Sequence, residues 1–361
     1  MNPFLRYLHH GLRSVSLLIL GCYIVAGYAD RISPLSSVLP SFVGLIYPFF
    51  LILALVVTAY WCVRKAKFAL VCIALFGLGS NSFLRYTPLN LWSDSVDEQS
   101  LKVMTYNTCG FGENRSRDAA KEMIAYIKQV DADVVCLQEF RSAKRRDGQT
   151  LQSIRRALKE YPYFCFTTPE ASRYTGLATF SKYPIKSHRK LTFGSRYNHA
   201  CLVEVAVEGQ PINILNTHLE SNQLSLKDRA FYQDFILDFD TNKLDEVKNN
   251  LFVKLAKAFR KRAAQVDKIR ELLDRLNDPT IVCGDLNDTP ISYTYHQLKG
   301  DLQDAYVAQG FGPGITYYEN LFLFRIDHVF HSDHFQTANV EIGDVTYSDH
   351  YPVIVTLNRA K

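Results

Sequence analysis

The chain has 361 residues and is 47% hydrophobic, enough for a large core and for more than one region. Its net charge of +5 is unevenly placed: up to Asn90, seven basic residues stand against the single acidic Asp30, which leaves residues 91–361 at about −1. The basic balance belongs to the N-terminal region, and a chain that is basic throughout is excluded.

Three uncharged apolar runs come first, VSLLILGCYIVAGYA (15–29), FVGLIYPFFLILALVVTAYWCV (42–63) and FALVCIALFGLGSNSFL (68–84). They are read as three transmembrane helices. For the first, a signal peptide is the alternative, because Arg6 and Arg13 precede it and Gly27-Tyr28-Ala29 resembles a cleavage site. For the third, a buried helix of the following domain is the alternative. Arg6, Arg13 and the cluster RKAK (64–67) belong on the cytoplasmic side, so three crossings deliver everything after Arg85 to the outside, in a bacterium the periplasm or cell exterior. Residues 1–90 are thus a membrane region and 91–100 a linker.

From about Ser100 the pattern is that of a soluble α/β domain, taken as one unit over 101–361. Strands are expected at LKVMTYNT, ADVVCLQE, GLATFS, ACLVEVAV, INILNTHL, TIVCGDLN, IDHVFHS and VIVTL. Helices are expected at 118–130, 150–159 and 244–276, the last from Leu251, Leu255, Phe259, Val266, Ile269, Leu273 and Leu276.

Polar residues recur where these strands end: Asn107, Gln138-Glu139, Asn216 and His218, Asp285 and Asn287, Asp327-His328, and finally Asp349-His350 in YSDHYPVIVTL. Turn chemistry explains any one of these, but a sheet whose strands all finish so gathers them at one rim, where ligands of α/β proteins bind. Glu139, Asp285, Asn107 and Asn287 are oxygen donors of the kind Mg²⁺ or Mn²⁺ prefers. Cys109, Cys136, Cys165, Cys201 and Cys283 show no CxxC spacing and no paired His, so they read as buried small hydrophobes and not as zinc ligands.

Taken in order, MTYNTCG, CLQEF, NTHLES, GDLND, RIDHVF and SDHYPV resemble the signature of the endonuclease/exonuclease/phosphatase family, the DNase I-like fold, over roughly 101–358. TGLATFSKYPI (175–185) resembles a further strand of that family. The resemblance implies a four-layer α/β sandwich, two central mixed sheets with helices outside, and divalent-metal-dependent phosphoester hydrolysis. Position by position it implies Glu139 as principal Mg²⁺ ligand with Asn107 beside it, and Asp349 as a further metal or water contact. His350 is then the catalytic histidine oriented by Asp327, Asp285 orients or deprotonates the attacking water, and Asn287 and His218 contact the phosphate. Whether Asp285 or His350 is the general base stays open. Arg141 and Asn198 are candidate phosphate contacts; Arg141 is equally placed to be a solvated surface residue, and His199 and His328 are equally placed to be structural.

Members of this family cleave nucleic acids, phospholipids and small phosphoesters, so the fold does not choose a substrate. The near-neutral domain and the membrane tether favour a lipid headgroup or small phosphoester, although the basic stretch AKRRDG (143–148) is a possible local patch. An extracytoplasmic nuclease and an inactive binding protein on the same fold are the alternatives. VKNNLFVKLAKAFRKRA (247–263), within a stretch (221–262) longer than the fold requires, reads either as an ordinary surface helix or as a basic amphipathic lip for anionic lipid, with Lys248, Lys254, Lys257, Arg260, Lys261 and Arg262 as its charges.

Overall fold

A computed structural model describes residues 3–65, 67–92, 94–112, 118–142, 150–223, 244–319 and 323–360, with side chains described from residue 7 onward and, in the long helix, from residue 251. The basic stretch 143–148 and residues 224–243 therefore lie outside the described residues, and of Arg6 and Lys248 the backbone alone is described.

The N-terminal region is a helical bundle. Helix α1 (Pro3–Gly27) is followed by a 3-10 turn (Ala29–Arg31), α2 (Leu39–Leu45), α3 (Tyr47–Val63), α4 (Phe68–Leu78) and α5 (Ser80–Tyr86). One helical stretch, Tyr7–Arg31, is long and apolar enough by itself to cross a membrane; α2 with α3 and α4 with α5 pass together but are bent by 55° and 61°. The first bend falls at Ile46, just before Pro48, which lacks the N–H that would continue the helix. The second falls at Gly79, where a Cβ would meet the Tyr23 ring at 2.4 Å, so only glycine permits this approach of α4 to α1.

Two six-stranded mixed sheets follow, in the orders β11-β12-β1-β2-β4-β3 and β5-β6-β7-β8-β10-β9. The strands that position the site are β1 (Leu101–Asn107), β2 (Val134–Arg141), β4 (Thr175–Ser181), β6 (His199–Val207), β7 (Gln210–His218), β8 (Thr280–Asp285), β10 (Asp327–His331) and β12 (Val353–Arg359). β1 pairs parallel with β2, and β7 parallel with β8. Alternate residues of each strand divide between two cores, as the period of two requires. Val103, Val134, Cys136, Ile214, Ile281, Cys283, Val329 and Val355 fill the space between the sheets. Met104, Tyr106, Val135 and Leu137 face outward onto α6 (Ala119–Val130) and α7 (Leu151–Ala157). Leu215, Val282 and Phe330 face outward onto α8 (Leu244–Leu273) and α9 (Tyr293–Lys299). The result is the four-layer α/β sandwich, helices outside and two sheets within.

The eight expected strands and three expected helices are present. β3 (Tyr163–Thr167), β5 (Ile185–Thr192), β9 (Gln303–Asp304), β11 (Phe335–Ile342), α9 and α10 (Ala305–Gln309) lie outside the expected elements. β5, IKSHRKLT, is almost wholly exposed, so it carries no apolar alternation to read. Every cysteine is free; Cys136, Cys165, Cys201 and Cys283 are buried, and Cys165 and Cys201 stand 3.9 Å apart at sulfur, too far for a disulfide.

Bundle and sandwich are in contact. Phe42 of α2 stacks on Phe252 of α8 at 4.3 Å and meets Phe259 edge-on at 5.2 Å. Gly44 lies so close to the Ile291 carbonyl that a Cβ would stand 2.4 Å from it. Buried Asp30 pairs with Arg85 at 2.6 Å, and the Arg85 guanidinium lies 5.7 Å from the ring centre of Tyr295. Residues 94–97 run along β11 and β12, with Asp94 N–H donating to the Ala338 carbonyl and Asp97 N–H to Asn358.

For the basic lip the structure gives a mixed answer. Lys257 and Arg260 are exposed, but Lys261 pairs with Glu220, and Arg262 is 0% exposed. Arg262 donates to Asp288 at 3.0 Å, to the Glu220 carbonyl at 2.8 Å and to Asn222 at 2.9 Å. Arg262 turns inward because buried partners reward it, Lys261 stays 40% exposed beside Glu220, and Phe252 and Phe259 of the apolar stripe meet Phe42 of the bundle.

Candidate active site at the rim between the sheets

The alternation that builds the cores also delivers the polar residues. In β1 the side chains facing the other sheet are those of Val103, Thr105 and Asn107; in β8, Ile281, Cys283 and Asp285. In β10, Asp327 shares the parity of Val329 and faces between the sheets, whereas His328 shares that of Phe330 and faces the helices. His328 accordingly packs on Tyr295 and Phe330, far from being a site group by direction.

β2 breaks the alternation at one place. Val135 and Leu137 face α6, and so does Phe140, although by strict alternation Phe140 belongs to the opposite face. Its register against β4 slips between Leu137 and Phe140, and Glu139 sits at φ +47°. This is a β-bulge whose extra residue is Glu139, re-aimed from the sheet face to the rim. A left-handed glutamate is a strained conformation, and strain of this kind gathers at functional sites. Asn287, at φ +52°, is better suited to the left-handed region, and its N–H donates to Asp285 Oδ1 at 2.7 Å, fixing the turn after β8.

The groups converge on Asp285 Oδ2. It accepts from Asn107 Nδ2 at 2.9 Å and from Asn287 Nδ2 at 3.1 Å, and it lies 3.6 Å from His218 Nε2 and 3.8 Å from His350 Nε2. His350 Nδ1 bonds Asp327 Oδ2 at 2.8 Å, which leaves Nε2 aimed at the rim. Glu139 Oε1 is 3.5 Å from both Asn107 Nδ2 and His218 Nε2, and its side chain is 39% exposed. Among the described residues, Asp285, Asp327 and His350 form the one group of three acidic or imidazole side chains whose ligand atoms all lie within 4.8 Å of one another.

Burial and the neighbouring Asp327 charge push the Asp285 carboxyl up to about 6, against the pull of His350 and His218. His350 is raised as well: burial favours its neutral form, yet the carboxylates of Asp327 and Asp285 together raise it to about 10. Burial, with Lys190 and His218 near it, pushes His199 down to about 3, so that ring stays neutral; its Nε2 lies 3.0 Å from Thr167 Oγ1.

The other expected residues fall as follows. Asn198 is buried, its amide donating to the Leu219 carbonyl at 2.8 Å and lying 3.4 Å from His218 Nδ1, so it faces the imidazole from behind. Asp349 Oδ1 is 3.2 Å from Ser348 Oγ, and Ser348 donates to the Asn107 carbonyl at 2.7 Å, tying the β1 end to the His350 turn. Arg141 is exposed at the end of β2.

Several groups around the site have partners that the sequence does not signal. Gln138 donates to Asn216 Oδ1 at 2.7 Å and to Thr105 at 3.0 Å, joining the two sheets directly beneath the rim. The Tyr317 ring stands 5.0 Å from that of His350. Buried Arg262, through Asp288 and the Glu220 carbonyl, ties the turns that follow β7 and β8 to α8. Gly284, at φ +138°, is needed because a Cβ there would stand 1.9 Å from the Thr217 carbonyl of the parallel neighbour.

The fold is similar to that of an endonuclease/exonuclease/phosphatase from Beutenbergia cavernae, at 19% identity and a TM-score of 0.52, with 72% of each chain covered. The human Nocturnin catalytic domain, solved with bound sulfate, aligns at 16% identity and a TM-score of 0.52 over 74% of this chain and 97% of that one. A humanized D. rerio TDP2 aligns at 15% identity and 0.51 over 72% of this chain and 100% of that one. At such identities the likeness speaks for the fold. No curated protein matches the sequence significantly. Residues 9–86 match a domain of unknown function, DUF8431. Residues 104–350, more than half of the chain and the stretch that holds every rim residue above, match the Endonuclease/Exonuclease/phosphatase family, and the chain belongs to it.

Proposed function

We propose that the chain is a membrane-anchored, divalent-metal-dependent phosphoesterase whose substrate is a lipid headgroup phosphoester or another small phosphoester. The observation that carries the reading is the convergence of two imidazoles, two amides and three carboxylates on one rim, in a family whose members act on phosphoester bonds.

The donor set fits a hard cation. Glu139 offers oxygen ligands at a half-exposed position that leaves room for the waters that Mg²⁺ or Mn²⁺ retains; Asn107, whose Nδ2 faces Asp285 and whose Oδ1 accepts from Cys109 N–H at 3.1 Å, would ligate through oxygen once that amide turned over. The tighter trio of Asp285, Asp327 and His350 fits less well, since it is buried and His350 Nδ1 is already bonded to Asp327. Glu139, with Asp349 as an outer contact, would hold the cation, which would neutralise charge on the phosphate oxygens. His218 Nε2, buried between the Glu139 and Asp285 carboxylates without a hydrogen bond to either, is placed to donate to a phosphate oxygen, and Asn287 approaches the same point. Asp285, between the imidazoles, takes the proton of the attacking water or orients it. His350, held by Asp327, stands beside it as the second proton carrier. Arg141 and Asn198 are assigned lesser parts, Arg141 at the exposed approach and Asn198 in orienting His218.

Membrane anchoring rests on the bundle. Arg13 lies over the Phe68 ring, and Trp61 donates to Ser16, so the basic residues Arg13, Arg64, Lys65 and Lys67 gather at one end. The sandwich docks at the other, where Gly44 meets Ile291 and Arg85 meets Tyr295. Three crossings with the basic end inside put the sandwich outside the cytoplasm of a bacterium. A reporter enzyme active only outside the cytoplasm, fused after Lys361, is expected to be active; a silent fusion of a well-expressed chain would overturn this topology.

The substrate is tested with the full chain in mild detergent and Mg²⁺, offered phospholipid in mixed micelles and, in parallel, plasmid DNA. Release of phosphorylated headgroup with the plasmid left intact is expected, since residues 91–361 carry no basic excess. Plasmid cleavage without lipid turnover favours the nuclease reading instead.

A further inference from the structure

The segment that leaves the bundle does more than connect. After α5, Pro88 to Asn90 pairs with residues 310–312: Gly312 N–H donates to the Pro88 carbonyl at 2.8 Å and Asn90 N–H to the Gly310 carbonyl at 3.3 Å. The Asn90 amide donates to the carbonyls of Val307 and Gly310, both at 3.0 Å. Arg325, only 3% exposed, closes the same structure from the other side. Its guanidinium lies 4.5 Å from the ring centre of Tyr306, donates to the Pro313 carbonyl at 3.0 Å and donates to the Arg85 carbonyl at the end of α5.

The loop held in this way, residues 311–318, reaches the rim. Thr316 Oγ1 accepts from the N–H groups of Ile326 and Asp327, at 3.0 and 3.1 Å. The Thr316 carbonyl accepts from Tyr351 N–H at 2.7 Å. Tyr317 lies against the His350 ring. Both members of the Asp327–His350 pair are therefore seated on a loop whose far end is fastened to the last bundle helix.

We infer that Arg325 and Asn90 are positioning residues: together they fasten loop 311–318 to the end of the bundle, and through Thr316 and Tyr317 this fixes the Asp327–His350 pair for phosphoester hydrolysis. The inference rests on the reading of that pair as catalytic. It makes the N-terminal bundle part of the enzyme's working structure as well as its anchor. The physical basis is the small tolerance of proton transfer for misplacement, where a shift of about 1 Å costs on the order of 10²-fold in rate.

The test uses the full chain in detergent and hydrolysis of bis-p-nitrophenyl phosphate. Arg325→Gln removes the bridge between the Arg85 and Pro313 carbonyls, and Asn90→Ala removes the milder contact on the bundle side. Each is expected to lower kcat about tenfold per folded molecule with KM within about twofold, and the double variant little further than either alone, because both loosen one loop. Arg325→Lys, which keeps the charge but not the planar fork, is expected to recover only part of the loss. Wild-type kcat in folded Asn90→Ala or Arg325→Gln, or losses that multiply in the double variant, overturn the inference. Should Arg325→Gln not fold, Asn90→Ala alone decides. His350→Ala measured beside them separates the two claims. If it retains turnover, the catalytic reading falls and this inference with it; if it is inactive while the other variants run at full kcat, only the positioning claim fails.

Discussion

His350→Ala is expected to lower phosphodiester turnover by about 10³-fold or more while leaving the chain folded. General acid–base groups contribute roughly 10²–10⁴-fold, and His350 has no substitute at its position. Asp285 is the other proton acceptor within reach of the rim, but without the nearby imidazolium its carboxyl, already raised by burial and by Asp327, is pushed further toward the neutral form. The fold has reason to survive. Asp327 loses the imidazole, yet its backbone stays pinned to Thr316, and a carboxyl left beside Asp285 can take up a proton instead of remaining a buried lone charge. Turnover per folded molecule, with circular dichroism and a thermal melt to establish folding, is the measurement. A folded variant within tenfold of wild type removes His350 from the chemistry.

Glu139→Gln has the second large effect and a different signature. The substitution is nearly isosteric and the side chain is half exposed, so the bulge is kept and stability changes little. What is lost is the negative charge at the open rim that a hard cation can reach with its waters in place. Turnover is expected to fall on the order of 10³-fold at fixed Mg²⁺, the several kcal/mol that a Lewis-acid cation supplies. In contrast to His350→Ala, part of the activity should return as Mg²⁺ is raised.

Much of this site was legible because period-two strands have two separable readings. Apolar residues at alternate positions show which strands are buried, and the polar residue at the end of each shows where they finish; Asn107 and Asp285 are legible in that way, whereas Asp327 opens its strand and reaches the same rim because β10 runs antiparallel to β8. His328 is in the same motif as Asp327, and only the registry of β10 against both cores, with Val329 inside and Phe330 outside, sends one to the site and the other to the helices. The bulge at Glu139 is invisible in CLQEF, since nothing local distinguishes a two-residue step from a three-residue one. Long-range partners were the other gap. Arg262 looks like a lipid-facing charge until Asp288 is found beside it, and the bridge from Gln138 to Asn216 joins strands of different sheets across 78 residues of sequence. The edge strand β5 was missed for lack of a buried face, and β11 because its register slips between Thr337 and Asn339 and interrupts the alternation.

Metal dependence at Glu139 is tested most directly by hydrolysis of bis-p-nitrophenyl phosphate by the full chain in detergent, with EDTA and then with Mg²⁺ or Mn²⁺ titrated back, for wild type and Glu139→Gln together. The expected result is turnover abolished by EDTA and restored by either cation in wild type, with the Glu139→Gln titration displaced to higher cation concentration. Chelator-resistant turnover, or titrations that coincide for the two proteins, would contradict a metal-dependent site at Glu139.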